Sequence, residues 1–152
     1  MNKIFYILSW IAILSAIGIT ILVSFWYFYP YNIITFNTKK FSVQNKNVKQ
    51  NEYLIYKSEY CKHMPLISQT SRSFVNGIIY TTPSTMTDRE TGCHTVNVQV
   101  HVPPELPPGK YYLSVLYQYK VNPVRIITIK RISDQFTVLE STTSAELRLQ
   151  DY

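Results

Sequence analysis

The chain has 152 residues, with 15 Lys+Arg against 9 Asp+Glu and a formal charge of +6. Its basic residues are scattered, with no run longer than two, which argues against a nucleic-acid tract and favours an anionic membrane surface or wall polymer as partner. Thirteen tyrosines and only four glycines make a strand-forming composition, and no Gly-x-Ser-x-Gly, His-Glu-x-x-His or phosphate-cradling glycine loop supports catalysis, so a non-enzyme without a cofactor is expected.

The first element is apolar. Ile4 to Tyr29 contains no charge and no Asn, Gln or His. A helix of this length reaches about 39 Å at about 1.5 Å per residue, enough to cross a hydrocarbon core of about 30 Å with some tilt. Aromatic residues cluster at both ends, Phe5, Tyr6 and Trp10 on one side and Phe25 to Tyr29 with Tyr31 on the other, where amphipathic rings sit at headgroup level. Pro30 stops the helix, because the residue before a proline is pushed out of the α region. A cleaved secretory signal is the competing reading, with Lys3 as its charged start and Ala16-Ile17-Gly18 as a small-residue cleavage site. The apolar run continues well past Gly18, however, beyond the roughly 7–15 residues of a cleavable segment, so residues 1–30 are expected to be an uncleaved anchor in a lipid bilayer. Within the span Ala12, Ala16, Thr20 and Ser24 recur every four residues. Such a stripe suits helix–helix contact, including a homo-oligomer through the span, although chance explains it equally in a segment that also holds Ser9, Ser15 and Gly18.

Topology is argued from both sides. Lys39, Lys40, Lys46 and Lys49 after the span, against Lys3 before it, would keep the rest of the chain in the cytoplasm by the positive-inside rule. Long domains translocate largely regardless of charge, and the cysteine pair discussed below suits an oxidising compartment. The expected arrangement is an N-terminus in the cytoplasm and a domain of residues 31–139 in the periplasm or outside the cell, with an unidentified membrane or envelope protein as partner.

Beyond the anchor, strand signals recur at short spacing with turn residues between them. Ile33–Phe36 and Phe41–Val43 read as a broken first strand, Val48 to Asn51 as a turn, and Glu52–Lys62 as a tyrosine-rich strand. Arg72–Val75 and Ile78–Thr82 flank Asn76-Gly77, which is either a type I′ hairpin turn or a bulge. Thr85–Thr91 reads as a solvated polar loop, whose Asp88 and Glu90 are too few for a calcium loop. In His94–Val102 the valines at 96, 98, 100 and 102 alternate with Asn97, Gln99 and His101, so one face is buried and one wet. Pro103 to Gly109 is a stiff crossing between sheets. Lys110–Val121 follows with Tyr111, Leu113, Val115, Tyr117, Tyr119 and Val121 on one face; Asn122-Pro123 turns the chain, and Val124–Ile132 and Phe136–Leu139 run back. Residues 140–152 are polar, with a weak helical tendency at Ala145–Leu149, and read as a tail.

The run Leu106-Pro107-Pro108-Gly109-Lys110-Tyr111-Tyr112-Leu113 resembles the Gly-x-Tyr-x-Cys corner of immunoglobulin-like domains. The resemblance implies an all-β, Ig-like antiparallel sandwich in which Gly109 and Tyr111 form the corner and the Tyr111 hydroxyl bonds back to the preceding loop. Leu113 stands where that family has its second cysteine, and no tryptophan follows residue 26, so the stapling must differ. The layout of residues 30–138 also loosely resembles small phage-encoded anchored proteins of undefined role, through Tyr60-Cys61-Lys62, Phe74 to Gly77, Gly92-Cys93, Leu106–Tyr111 and Val121 to Arg125.

In a sandwich of this kind the strands ending at Cys61 and beginning at Cys93 are antiparallel neighbours, so a disulfide is expected between these two cysteines, the only ones in the chain. A copper or zinc site using Cys61, His63, Met64, Cys93 and His94 is the alternative; consecutive strand residues point to opposite faces, so no metal is expected. His101 should lie on the wet face, and Tyr112 on the face opposite Tyr111 and Leu113, which makes these two the candidate binding surface for protein or sugar.

Overall fold

The structure, a computed structural model, describes residues 3–38 and 40–141. The remainder of the tail, with its Ala145–Leu149 stretch, lies outside the described residues. An N-terminal apolar helix precedes an all-β domain. Helix α1 runs Lys3–Phe28 and none of its residues is buried. The Tyr29 amide still donates to the Phe25 carbonyl at 2.9 Å before Pro30 ends the helix.

Eleven strands follow among the described residues: β1 Ile34–Phe36, β2 Lys40–Phe41, β3 Asn47–Lys49, β4 Tyr53–Lys62, β5 Ser68–Asn76, β6 Ile78–Thr81, β7 Thr85–Thr87, β8 Gly92–His101, β9 Gly109–Asn122, β10 Arg125–Ser133 and β11 Phe136–Leu139. One sheet has the order β1-β4-β8. In the other, β9 is central, with β5 on one side and β10 and β11 on the other; β5 carries β6 and β7 on its outer edge. This is the immunoglobulin-like arrangement, with β4 beside β8 in one sheet and β5, β9 and β10 side by side in the other. All pairings are antiparallel except at one edge, where β2 and β3 run parallel to β10 and β11. The broken first strand therefore serves both sheets: β1 pairs with β4, and the chain then crosses to edge the second sheet.

Several readings of the sequence need correction. Thr85–Thr87 is not loop but strand β7, paired with Ser68–Thr70, and β5 begins at Ser68 rather than Arg72. Val48 lies within β3, and the turn before β4 comes after it, with Asn51 at φ 65°. At the β5–β6 hairpin only Gly77 takes a positive φ (69°), so the type I′ turn, which needs it at both central residues, is excluded.

Among the described residues the interior holds two apolar clusters. The larger joins Leu54, Phe74, Leu113 and Phe136 with their neighbours, and Leu113 fills the position of the missing cysteine at 0% exposure. The smaller, nearer the helix, centres on Ile33, Ile34 and Tyr119.

Candidate functional site

Strand periodicity fixes which side chains face inward. Along β4 the inward set is Leu54, Tyr56, Ser58, Tyr60 and Lys62; along β5 it is Phe74, Arg72, Thr70 and Ser68. Both strands are apolar at one end and polar at the other. At the polar end, beside the smaller apolar cluster, the sheets enclose a cavity of about 260 Å³. Its walls carry three cations, Lys62, Arg72 and Arg89, together with the hydroxyl-bearing residues Ser58, Tyr60, Tyr117 and Tyr119. Val96–Gln99, on the free edge of β8, close one side.

Lys62 is only 4% exposed. Its ammonium donates to the Arg89 carbonyl, and the nearest carboxylate oxygen, on Asp88, is 3.9 Å away. Arg72 is held by Tyr56 and Thr85: its Nε donates to the Tyr56 hydroxyl at 3.4 Å and its Nη1 to Thr85 Oγ1 at 3.0 Å. No carboxylate lines the cavity among the described residues. Ser58 Oγ is buried without a closed hydrogen bond. Burial pushes the Tyr117 hydroxyl well above the ordinary tyrosine value, with the Tyr56 side chain adding to the rise and the Ser58 hydroxyl and the arginines only partly offsetting it. The Tyr60 and Tyr119 hydroxyls are raised by the same desolvation, so all three stay protonated and able to donate at neutral pH.

A second buried cation lies on the opposite flank. Arg131, 4% exposed, stacks its guanidinium over Phe36 at 4.2 Å and Phe41 at 5.3 Å, and its Nη2 donates to the Thr38 carbonyl at 2.7 Å. Its Nε has no partner among the described residues.

Cys61 and Cys93 are joined, directly opposite each other in the β4–β8 ladder with Cα atoms 3.9 Å apart. The bridge sits one pair from the end of that ladder, beside Lys62↔Gly92. Its sulfurs are therefore not available as the thiolates the metal alternative required, and His63 instead meets Thr35 Oγ1 at 3.0 Å. The Tyr111 hydroxyl donates to the Pro107 carbonyl at 2.8 Å, across the corner that begins at Gly109. His101 lies on the outer face, edge-on to Tyr53 with centroids 5.4 Å apart, and its Nε2 is 3.1 Å from Asn51 Oδ1. Tyr112 is 43% exposed on the outer face of the other sheet, so these two residues do not share a surface. Ala12, Ala16, Thr20 and Ser24 are all exposed on α1, and the Thr20 hydroxyl turns back to donate to the Ala16 carbonyl at 2.8 Å.

The junction between helix and sandwich is polar. Asn122 Nδ2, at the end of β9, donates to the Trp26 carbonyl at 3.0 Å. Arg125 Nη1, at the start of β10, donates to the Tyr27 and Tyr29 carbonyls at 2.6 and 2.7 Å. A guanidinium at the helix C-terminus satisfies orphan carbonyls and complements the negative end of the helix dipole.

The cleft and the junction were not singled out from the sequence. Parity would have found the cations: Lys62 continues the inward alternation of Leu54 and Tyr56, as Arg131 continues that of Ile127 and Ile129.

No protein family matches the chain. No curated protein matches it either. Among solved structures it is similar to the CARDB domain of a Pyrococcus furiosus protein crystallised in complex with di-metal ions, at 9% identity and a TM-score of 0.36, over 73% of this chain and 91% of that one.

Proposed function

We propose that this chain is a non-enzymatic, membrane-anchored interaction protein, with α1 spanning a bilayer and the sandwich displayed on the extracytoplasmic side. The observation that carries this reading is the state of α1: a 26-residue apolar helix with no buried residue, whose last carbonyls are held by Asn122 and Arg125. An apolar helix of a soluble domain would bury at least one face, whereas this one is apolar all round and exposed along its length, which suits a lipid surrounding. The capped junction couples the span to the β9–β10 hairpin, so the domain is presented in a defined orientation rather than on a loose tether.

The disulfide supports export, because an intradomain bridge persists in an oxidising compartment. The lysines after the span oppose it, but they weigh less for a long translocated domain. The loose resemblance to phage-encoded anchored proteins would put the partner at a host envelope. The small-residue stripe would let a further helix or a second copy approach the span closely.

Alkaline phosphatase fused after Tyr152 tests the topology. An active fusion is expected; an inactive one, with a cytoplasmic reporter active at the same place, overturns it.

A further inference from the structure

We propose that the cleft between the two sheets binds the oxyanion, a phosphate or carboxylate, of a small hydroxylated ligand, with Lys62, Arg72 and Arg89 as its cationic contacts and the Ser58 and Tyr117 hydroxyls as further donors.

Three observations carry this. First, cations from β4, β5 and the segment after β7 line one cavity that contains no carboxylate among the described residues. A lysine at 4% exposure costs free energy unless a counter-charge approaches, and Asp88, itself largely exposed, stays 3.9 Å from its nitrogen. Lys62 thus has one long ion pair, and among the described residues Arg72 and Arg89 have none, so a bound anion balances a cluster of cations that the protein only partly neutralises. Second, Ser58 Oγ is buried against the same cavity, close to the Tyr117 hydroxyl but without a hydrogen bond of good geometry, and native interiors rarely leave such a group unpaired. A ligand oxygen would satisfy it. Third, Arg72 is already oriented by Tyr56 and Thr85, so its planar fork is preorganised for an oxyanion. The cavity of about 260 Å³ limits the occupant to roughly the size of one sugar acid or sugar phosphate.

Ile34, just beyond Pro30, lines the same cleft. The oxyanion therefore has two sources of the same chemistry, a soluble molecule or an anionic lipid headgroup. The inference rests on the anchored-display reading only in setting the cleft near a bilayer. Binding and topology are measured separately, so either can fail alone.

The experiment is calorimetric titration of inorganic phosphate and of D-glucuronate into the full chain in neutral phosphatidylcholine nanodiscs, with D-glucose as the uncharged control. Saturable binding of at least one anion and none of glucose is expected. Arg72→Gln and Arg89→Gln should each raise Kd by about tenfold or more, while Lys130→Gln, on the outer face of β10, should change it by less than about twofold. Arg89 is exposed, so its substitution leaves the fold intact and keeps the test decisive if Arg72→Gln unfolds. Repeating the titration in phosphatidylglycerol nanodiscs identifies the source: persistence marks a soluble ligand, and loss by competition marks the headgroup. No saturable binding in neutral discs, or a Kd unmoved by Arg89→Gln, overturns the proposal.

Discussion

The two ends of β4 and β5 enclose the same inter-sheet space and fill it in opposite ways. At one end Leu54 and Phe74 are at 0% exposure and pack with Leu113 and Phe136. At the other end the same inward positions hold Ser58, Lys62, Ser68, Thr70 and Arg72, around a cavity rather than a packed core. The apolar end is held together by burial, which is non-directional and scales with area. The polar end has far less of this and carries instead the covalent bridge between Cys61 and Cys93, placed where the β4–β8 ladder finishes. Close packing and covalent closure are thus separated along the strands, with the disulfide in the ladder beside the cavity.

Substitutions can break or sharpen this contrast. The largest effect is expected at the apolar end: Phe74→Ala should cost about 3–5 kcal/mol, because it removes a fully buried ring that meets Phe136 at 6.1 Å, and urea unfolding followed by circular dichroism reads the loss. Next is the bridge. Closing a loop of 32 residues' separation is worth about 3.7 kcal/mol by chain-entropy arithmetic, so Cys61→Ser or Cys93→Ser should each cost about 2–5 kcal/mol, with the double variant no worse than either single. If hydrogen exchange in Cys61→Ser rises first at the Lys62 end of β4, the bridge is the clasp of the polar end; uniform exchange along the strand would dissolve the contrast. Tyr111→Phe should cost about 1 kcal/mol, through the lost bond to the Pro107 carbonyl, which anchors the corner at the apolar end. The smallest effect, and of opposite sign, is expected at Ser58→Ala: removing a buried hydroxyl without a closed bond should leave the unliganded melting temperature unchanged or slightly higher. A marked fall there would mean that Ser58 is structural and that the polar end is core after all.

Alkali sharpens the same contrast. Burial holds the Tyr60, Tyr117 and Tyr119 hydroxyls above the unfolded tyrosine value of about 10, so the folded state resists their ionisation. Their contribution is fully present below about pH 10 and is lost as pH rises beyond it. Tyr117→Phe should flatten that decline in a series of melting temperatures against pH.

What the sequence revealed follows the same division. The alternating valines of β8 and the long apolar face of β9 were legible, because one wet face and one buried face leave a period-two pattern. The disulfide was legible because the end of β4 and the start of β8 carry the only two cysteines. The first half of β5 and all of β7 were not: Ser68-Gln69-Thr70-Ser71 and Thr85-Met86-Thr87 line or edge a polar space, so their strands lack the apolar half of the pattern and read as loop. The cleft escaped notice for the same reason, since a lysine or arginine at an inward position looks like a solvated side chain until the opposing sheet is in place. The capping of α1 by Asn122 and Arg125 joins residues more than 90 apart, and no local signal announces it.

The central proposal is an uncleaved anchor that carries an oxidised, exported domain. Peptide mass mapping of the protein extracted from its native membrane, alkylated without reduction, tests both halves of that claim at once. It predicts that α1 peptides are recovered at the same abundance as those of the sandwich, together with a disulfide-linked pair containing Cys61 and Cys93. Loss of the segment up to Gly18, or two alkylated cysteines, would contradict it.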